Sequence, residues 1–131
     1  MKPEELLFAK THEWVTVAER DGGKIATIGL SAYAVESLTD LVYIELPQVG
    51  AQVTAGQSMA EVESVKAVSD IYAPVTGEVA EVNDALRDQL DTLSEDPYDQ
   101  GWIARIRVAD DSALAGLMDH AAYQKQCDEE A

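Results

Sequence analysis

The residue best placed to take part in chemistry is Lys66, because no other lysine or arginine lies between Lys24 and Arg87. An amine that has lost its proton attacks activated carboxyl groups, so Lys66 suits acylation by an enzyme that supplies the base. The alternative is an exposed turn lysine that pairs with a nearby acid at little gain in stability. The acidic residues around it in the sequence are Glu36, Asp40, Glu45, Glu61, Glu63, Asp70, Glu78, Glu81 and Asp84.

Other reactive residues form no recognisable catalytic pattern. The sequence has no nucleophile elbow, phosphate-binding loop or dinucleotide-binding glycine motif. His12 and His120 are the only histidines, and His12 with its following glutamate lacks the second histidine of a helical zinc motif. Cys127 is the sole cysteine, cannot form an intramolecular disulfide and has acidic neighbours that disfavour a thiolate. The sequence therefore predicts a protein that is not an enzyme and binds no metal.

Composition excludes several partners. Nine basic residues against 25 acidic ones give a formal net charge of −16 over 131 residues, which repels nucleic acid and anionic membranes. The charge favours basic docking patches on partners, although acidity as a solubility device explains it equally well. The N-terminus resembles neither a signal nor a transit peptide, and no apolar stretch is long enough to span a bilayer. We expect a cytoplasmic protein, or one of the mitochondrial matrix if a presequence has been removed.

Turn residues and alternating apolar positions divide the chain into short strands, which must position Lys66. Ser31 is expected to cap a helix to about residue 37, and Asp111 or Ser112 a C-terminal helix over about 111–127. A turn is expected at 21–23 and a loop at 94–101. Strands are predicted at 14–19, 24–30, 41–46, around 53, 59–63, 70–73, 77–83 and 102–108.

This pattern predicts a single all-β domain over 1–131, a sandwich or barrel with a terminal helix packed on it. The segments 47–53 and 74–79 share a proline, a glycine and a valine at nearly the same spacing, on either side of Lys66. That similarity indicates an internal duplication. It would make Lys66 the tip of a hairpin joining two related half-sheets.

Six segments spread over nearly the whole chain carry further motifs: Thr11-His12-Glu13-Trp14, Ile28-Gly29-Leu30-Ser31, Ile44-Glu45-Leu46-Pro47, Glu63-Ser64-Val65-Lys66-Ala67, 77–83 and 96–102. They resemble the motifs of the H proteins of the glycine cleavage system. Biotin carriers usually have methionines beside the lysine, and other lipoyl domains lack the Thr-His-Glu-Trp segment. The resemblance implies an all-β-dominated barrel-sandwich hybrid, like lipoyl and biotinyl domains, of two related antiparallel half-sheets with short helices, a hairpin core at about 41–83 and a C-terminal helix.

The resemblance further implies that Lys66 carries (R)-lipoate in an amide bond. The lipoyl arm would accept an aminomethyl group from a pyridoxal-phosphate glycine decarboxylase and pass it to a tetrahydrofolate-dependent aminomethyltransferase. A flavin (FAD) dihydrolipoyl dehydrogenase would reoxidise it. A lipoate ligase or an octanoyl or lipoyl transferase would attach the arm. Because a shuttle visits several enzymes, we expect a monomer.

By matching position, two sets of residues would serve the arm. Glu63, Ser64, Val65 and Ala67 would be recognised by the modifying enzyme. Glu13, Ser31, Tyr33 and Asp70 would line a cleft into which the loaded arm folds, where carboxylates could hold a cationic group away from water. For two of these residues a purely structural role is an equally good interpretation: Ser31 as a helix cap and Asp70 as a solvated acid.

The chain departs from the family pattern at several positions. Tyr33 stands where histidine is common, Val35 where glutamine is common, and Thr39 where glycine is usual; Leu90 and Ser94 replace a common proline and asparagine. Two alternatives stay open at this point: a lipoyl relay to other 2-oxoacid dehydrogenase complexes, and a β-rich interaction module in which Lys66 is never modified.

Overall fold

Two antiparallel β-sheets make up most of the computed structural model, which describes residues 2–20, 22–110 and 112–130. The strands are β1 Leu7–Phe8, β2 Glu13–Arg20, β3 Gly23–Leu30, β4 Leu41–Glu45, β5 Gln52–Val53, β6 Ser58–Ser64, β7 Val68–Tyr72, β8 Thr76–Val82 and β9 Ala104–Asp110. The α-helices are α1 Ala32–Leu38, α2 Thr92–Glu95 and α3 His120–Glu130, and single 3-10 turns cover Pro3–Glu5, Asp84–Arg87 and Ser112–Gly116. None of the helices within the described ranges is long and apolar enough to cross a membrane.

The larger sheet has the order β1-β2-β3-β9-β8-β5 and the smaller one β4-β6-β7. Alternation along β6 is as predicted: Ala60 and Val62 are buried, while Glu61 and Glu63 are exposed. The mostly-β fold with two antiparallel sheets, short helices and a C-terminal helix is therefore confirmed. One apolar core packs the smaller sheet against α1 and α2 and contains Leu30, Val35, Ile44, Leu46, Ala60, Val62, Ile71, Leu86, Leu93, Ile103 and Ala104.

The hairpin that carries Lys66 lies inside one sheet, which differs from the expectation. Lys66 connects β6 to β7, which pair with each other in the smaller sheet. The two similar segments pair with each other in the larger sheet instead, with Gln52 opposite Glu78 and Val53 opposite Gly77. The lysine is thus at a hairpin tip, as predicted, but it does not join two sheets.

The predicted C-terminal helix is wrong in its first half. Residues 117–119 leave the helical path because the backbone of Met118 pairs with Phe8, with N–O distances of 2.7 and 2.8 Å in the two directions. Helix α3 begins only at His120, and the Asp119 side chain caps it by accepting a hydrogen bond from the backbone N–H of Ala122 at 2.9 Å. Asp111, one of the two proposed caps, lies outside the described residues, as does Asp21 of the predicted turn.

Helix α3 also buries a different face from the one its alanines suggested. Ala121 and Ala122 are exposed, whereas Tyr123 and Cys127, four residues apart, are buried. The Tyr123 ring stacks on Phe8 with 4.4 Å between centroids. The helix therefore closes the structure over the segment that precedes β2.

Candidate functional site

Lys66 projects from the tip of the hairpin between β6 and β7. Strand β6 ends at Ser64 and β7 begins at Val68, so residues 65–67 alone form the turn. The Lys66 side chain is exposed and makes no hydrogen bond or ion pair with the residues that the structure describes. Its amine is therefore available to another molecule.

The turn beneath Lys66 is held by Ser64, which is 5% exposed. Its Oγ accepts hydrogen bonds from the backbone N–H groups of Lys66, at 3.3 Å, and Ala67, at 3.1 Å, and lies 3.2 Å from the Ala67 carbonyl as a donor. The backbone N–H of Val65 donates to the Asp40 carbonyl at 2.9 Å, which ties the tip to the residue before β4. The backbone is fixed on both sides of the lysine while its side chain stays free.

A cleft of about 310 Å³ opens beside the smaller sheet. Asp70 is four residues after Lys66, so the two residues are at most roughly 13 Å apart along the chain, at ~3.3 Å per extended residue. The cleft combines an apolar wall with polar groups at its edge, which suits a flexible apolar chain that ends in a charged group. Its lining includes Leu30, Leu38 and Val62 on the apolar side, Thr11, Ser69 and Asp70 on the polar side, and Tyr33, His12 and Glu130.

Glu13 is buried behind the cleft, with 1% of its surface exposed. One carboxylate oxygen accepts a hydrogen bond from the Thr11 hydroxyl, and the other accepts from the backbone N–H of Tyr72 at 3.1 Å. Burial raises the pKa of Glu13 from 4.5 to about 7, although both hydrogen bonds act in the opposite direction. Near neutral pH this carboxyl group therefore exists in both protonation states.

Ser31 is also buried, and its hydroxyl has two roles. Ser31 Oγ caps α1 by accepting from the backbone N–H of Ala34 at 3.2 Å, and it lies 2.5 Å from the Tyr123 hydroxyl. The same tyrosine oxygen lies 2.7 Å from His12 Nδ1, and the His12 ring stacks on Tyr33 at 5.0 Å. Burial is also the main reason that the pKa of Tyr123 is raised, so its hydroxyl stays protonated. Glu13, Ser31 and Tyr123 together are called the buried polar cluster below.

The structure brings the predicted cleft residues to one region but at two depths. Tyr33 and Asp70 line the cleft, whereas Glu13 and Ser31 lie behind it. Glu13 accepts from the lining residue Thr11, and Ser31 is linked to the lining residue His12 through the Tyr123 hydroxyl. The four predicted recognition residues lie on the hairpin, in or beside its tip: Glu63, Ser64, Val65 and Ala67.

Sequence reasoning missed the residues that hold the cleft together. Thr11 and His12 stand in the N-terminal motif, but nothing in that motif predicts which of them faces a cavity. Tyr123 and Cys127 have helical spacing, which could have identified the buried face of α3. No cluster of potential metal ligands occurs within the described ranges.

Comparison with known proteins finds the same family by sequence and by fold. Residues 6–130 match the family model of the glycine cleavage H-protein. The glycine cleavage system H protein of Rhodopirellula baltica is 54% identical over 127 residues, covering 97% of this chain and 96% of the relative. That of Escherichia coli is 48% identical over 128 residues, covering 98% and 97%. A crystal structure of a glycine cleavage system H protein from Mycobacterium marinum matches with a TM-score of 0.82 and 36% identity, covering 95% of this chain and 98% of that one.

Proposed function

Since the chain belongs to the glycine cleavage H-protein family, we propose that Lys66 is the residue to which lipoate is attached. The protein is a lipoyl carrier of the glycine cleavage system and is not itself an enzyme. One observation carries the choice of residue: Lys66 is exposed at a hairpin tip, in a turn whose backbone is held in place by Ser64 and Asp40. An amide at that position would extend into solvent from a fixed base.

The residues present fit such an arm. The Lys66 amine has no partner in the described part of the chain, so acylation would break no contact of the folded protein. When bound, lipoate supplies a disulfide that accepts an aminomethyl group and is later regenerated from the dithiol. Everything else falls to the protein, which must hold the base of the arm and offer it a place to dock.

We assign that docking to the cleft beside β7. Asp70 lies at its edge and would attract a cationic group, while Ala34 and Leu38, which are partly exposed, would contact the apolar part of an arm. Tyr33 would form part of the wall, stacked on His12. Glu13, which lies behind the cleft, would orient Thr11 by accepting a hydrogen bond from its hydroxyl. Ser31 would hold Tyr123 in place through the contact between their hydroxyl groups.

The protein works with other components of the glycine cleavage system. We propose three partners: a pyridoxal-phosphate glycine decarboxylase, a tetrahydrofolate-dependent aminomethyltransferase and the FAD enzyme dihydrolipoyl dehydrogenase. A monomer fits this role, because one lipoyl arm must reach three active sites in turn. A lipoyl relay to 2-oxoacid dehydrogenase complexes would need the same lysine, so only the partner enzymes distinguish the two roles.

Mass spectrometry of the intact protein tests the attachment residue. The folded wild type and Lys66→Arg are each incubated with a lipoate ligase, lipoate and ATP. We expect one lipoyl adduct on the wild type and none on the variant, which keeps the positive charge. No adduct on folded wild type would overturn the proposal. Glycine-dependent reduction of the modified protein, assayed with the three partners, then separates glycine cleavage from a relay role.

A further inference from the structure

The outer face of the smaller sheet leaves apolar side chains exposed around Lys66. Four residues near the hairpin tip are at least half exposed, and together they are called the apolar collar: Val42 (52%), Tyr43 (57%), Val65 (69%) and Val68 (57%). Tyr43 and Val68 both lie opposite Glu63, so the three side chains form one row across β4, β6 and β7. Isolated exposed apolar residues are ordinary, but a group around a single exposed amine indicates an interaction surface.

A second row on the same face is entirely acidic. Glu45 lies opposite Glu61, and Glu61 lies opposite Asp70, two positions along each strand from the first row. All three are exposed, and none forms an ion pair with the part of the chain that the structure describes. Like charges directly opposite each other in a sheet are destabilising. The acidic row therefore costs folding stability, and a cationic partner surface would offset that cost.

We infer that the apolar collar and the acidic row together form the docking surface for the enzyme that acylates Lys66. This inference rests on the proposed function. The partner surface that fits has apolar groups that cover Tyr43 and Val68, a basic group for Glu63 between them, and a basic rim that faces the acidic row. The surface extends well beyond the hairpin residues themselves, onto β4.

The acylating enzyme is the partner that must approach the lysine most closely. It acts on the Lys66 nitrogen itself, whereas enzymes that act on the far end of an attached arm can stay an arm's length away. In the reaction, Lys66 Nζ bonds to the carbonyl carbon of an acyl adenylate. The bond from that carbon to the phosphate oxygen of AMP breaks, and a base of the partner takes the amine proton. The collar keeps Nζ in reach by contacts on both sides of the tip.

The test is the rate of Lys66 lipoylation by a lipoate ligase with lipoate and ATP. Tyr43→Thr and Val68→Thr place threonine, a β-branched residue that suits a strand, at each position but remove apolar surface. We expect each to lower kcat/KM about tenfold, mainly through KM, as for a residue near the centre of an interface. Val49→Thr is the matched control, because Val49 is 62% exposed but lies outside the strands of this face, and we expect no change beyond twofold.

The acidic row has its own variant. Glu61→Gln removes the central charge and is expected to lower kcat/KM about threefold at low salt, with the difference vanishing at high salt. The urea midpoint of the Glu61→Gln variant should rise, because two like-charge pairs are relieved. A variant that is more stable and yet acylated more slowly has lost a binding contact, because a purely structural role would not make a stabilised variant slower. Glu129→Gln on α3 changes the net charge equally and should leave the rate unchanged.

The outcomes separate the two proposals. If wild type is acylated on Lys66 and the collar and Glu61 variants react at the wild-type rate, the docking surface is overturned and the carrier role stands. If folded wild type is not acylated at all, the carrier role itself fails, and the docking inference fails with it. Circular dichroism identifies any variant that does not fold, and the remaining variants then decide.

Discussion

The hairpin tip and the buried polar cluster treat their polar groups in opposite ways. At the tip, the backbone is bonded through Ser64 and Asp40 while the Lys66 side chain has no partner among the described residues. In the buried polar cluster, each side chain is bonded: Glu13 by two donors and Ser31 by Ala34 and Tyr123. Under the proposed function, the tip offers its amine for modification, whereas the cluster fixes the local structure. Different perturbations should therefore affect the two regions.

The largest effect is expected at Glu13. Its folded pKa of about 7 lies above the ordinary value of 4.5, so the unfolded chain loses this proton first as the pH rises. Below pH 4.5 the proton on Glu13 contributes its full share to the free energy of unfolding. As the pH rises from the unfolded pKa to the folded pKa, this contribution of roughly 3 kcal/mol is lost. In Glu13→Gln this loss is absent. The free energy of unfolding of the variant, relative to wild type, should therefore rise by roughly 3 kcal/mol from about pH 4.5 to about pH 7.5.

Urea denaturation at both pH values measures that difference. Glu129→Gln serves as the control, since this exposed acid should give a difference that is flat with pH. A flat difference for Glu13→Gln as well would mean that Glu13 titrates like a solvated acid. Glu13 would then not be held in a buried site, and the description of the buried polar cluster would be wrong.

Local pattern predicted the strands around the tip better than it predicted the cluster. The alternation of β6 and the isolation of Lys66 are properties of neighbouring residues, so the sequence could indicate a hairpin with an exposed lysine. The burial of Glu13 depends on Thr11 and on the backbone of Tyr72, 59 residues away, and no local pattern carries that information.

The same reason accounts for the error in the C-terminal helix. Met118 has helical neighbours but pairs with Phe8, which is 110 residues earlier in the chain. A long-range backbone pairing overrode the local preference. Contacts between distant segments, rather than local propensity, determine where α3 begins and how deeply Ser31 is buried.

At the tip, a smaller effect is expected from Ser64→Ala. The change removes the oxygen that accepts from the N–H groups of Lys66 and Ala67, at a cost of about 2 kcal/mol in the free energy of unfolding. Hydrogen exchange of these two amides should become faster, and lipoylation of Lys66 several-fold slower, because the turn is less ordered. Ser94→Ala on α2 is the control: its side chain is exposed and forms no hydrogen bond with the residues that the structure describes, so both readouts should stay at wild-type values. Unchanged exchange in Ser64→Ala would show that the backbone alone holds the tip.

The smallest effect is expected at Thr39, which lies in the chain between the cleft and the hairpin tip. It follows α1, which lines the cleft, and precedes Asp40, which holds the tip. Its φ of 61° and ψ of −124° suit glycine and are strained for a β-branched residue, so Thr39→Gly should raise the free energy of unfolding by about 1 kcal/mol. Thr39→Ala keeps the Cβ and should gain much less. Thermal denaturation measures the stability, and lipoylation measures the tip. If Thr39→Gly is more stable and is lipoylated at the wild-type rate, the backbone strain at Thr39 has no influence on Lys66. A slower rate would mean that this strained residue positions the lysine, and that the tip and the cleft are mechanically coupled.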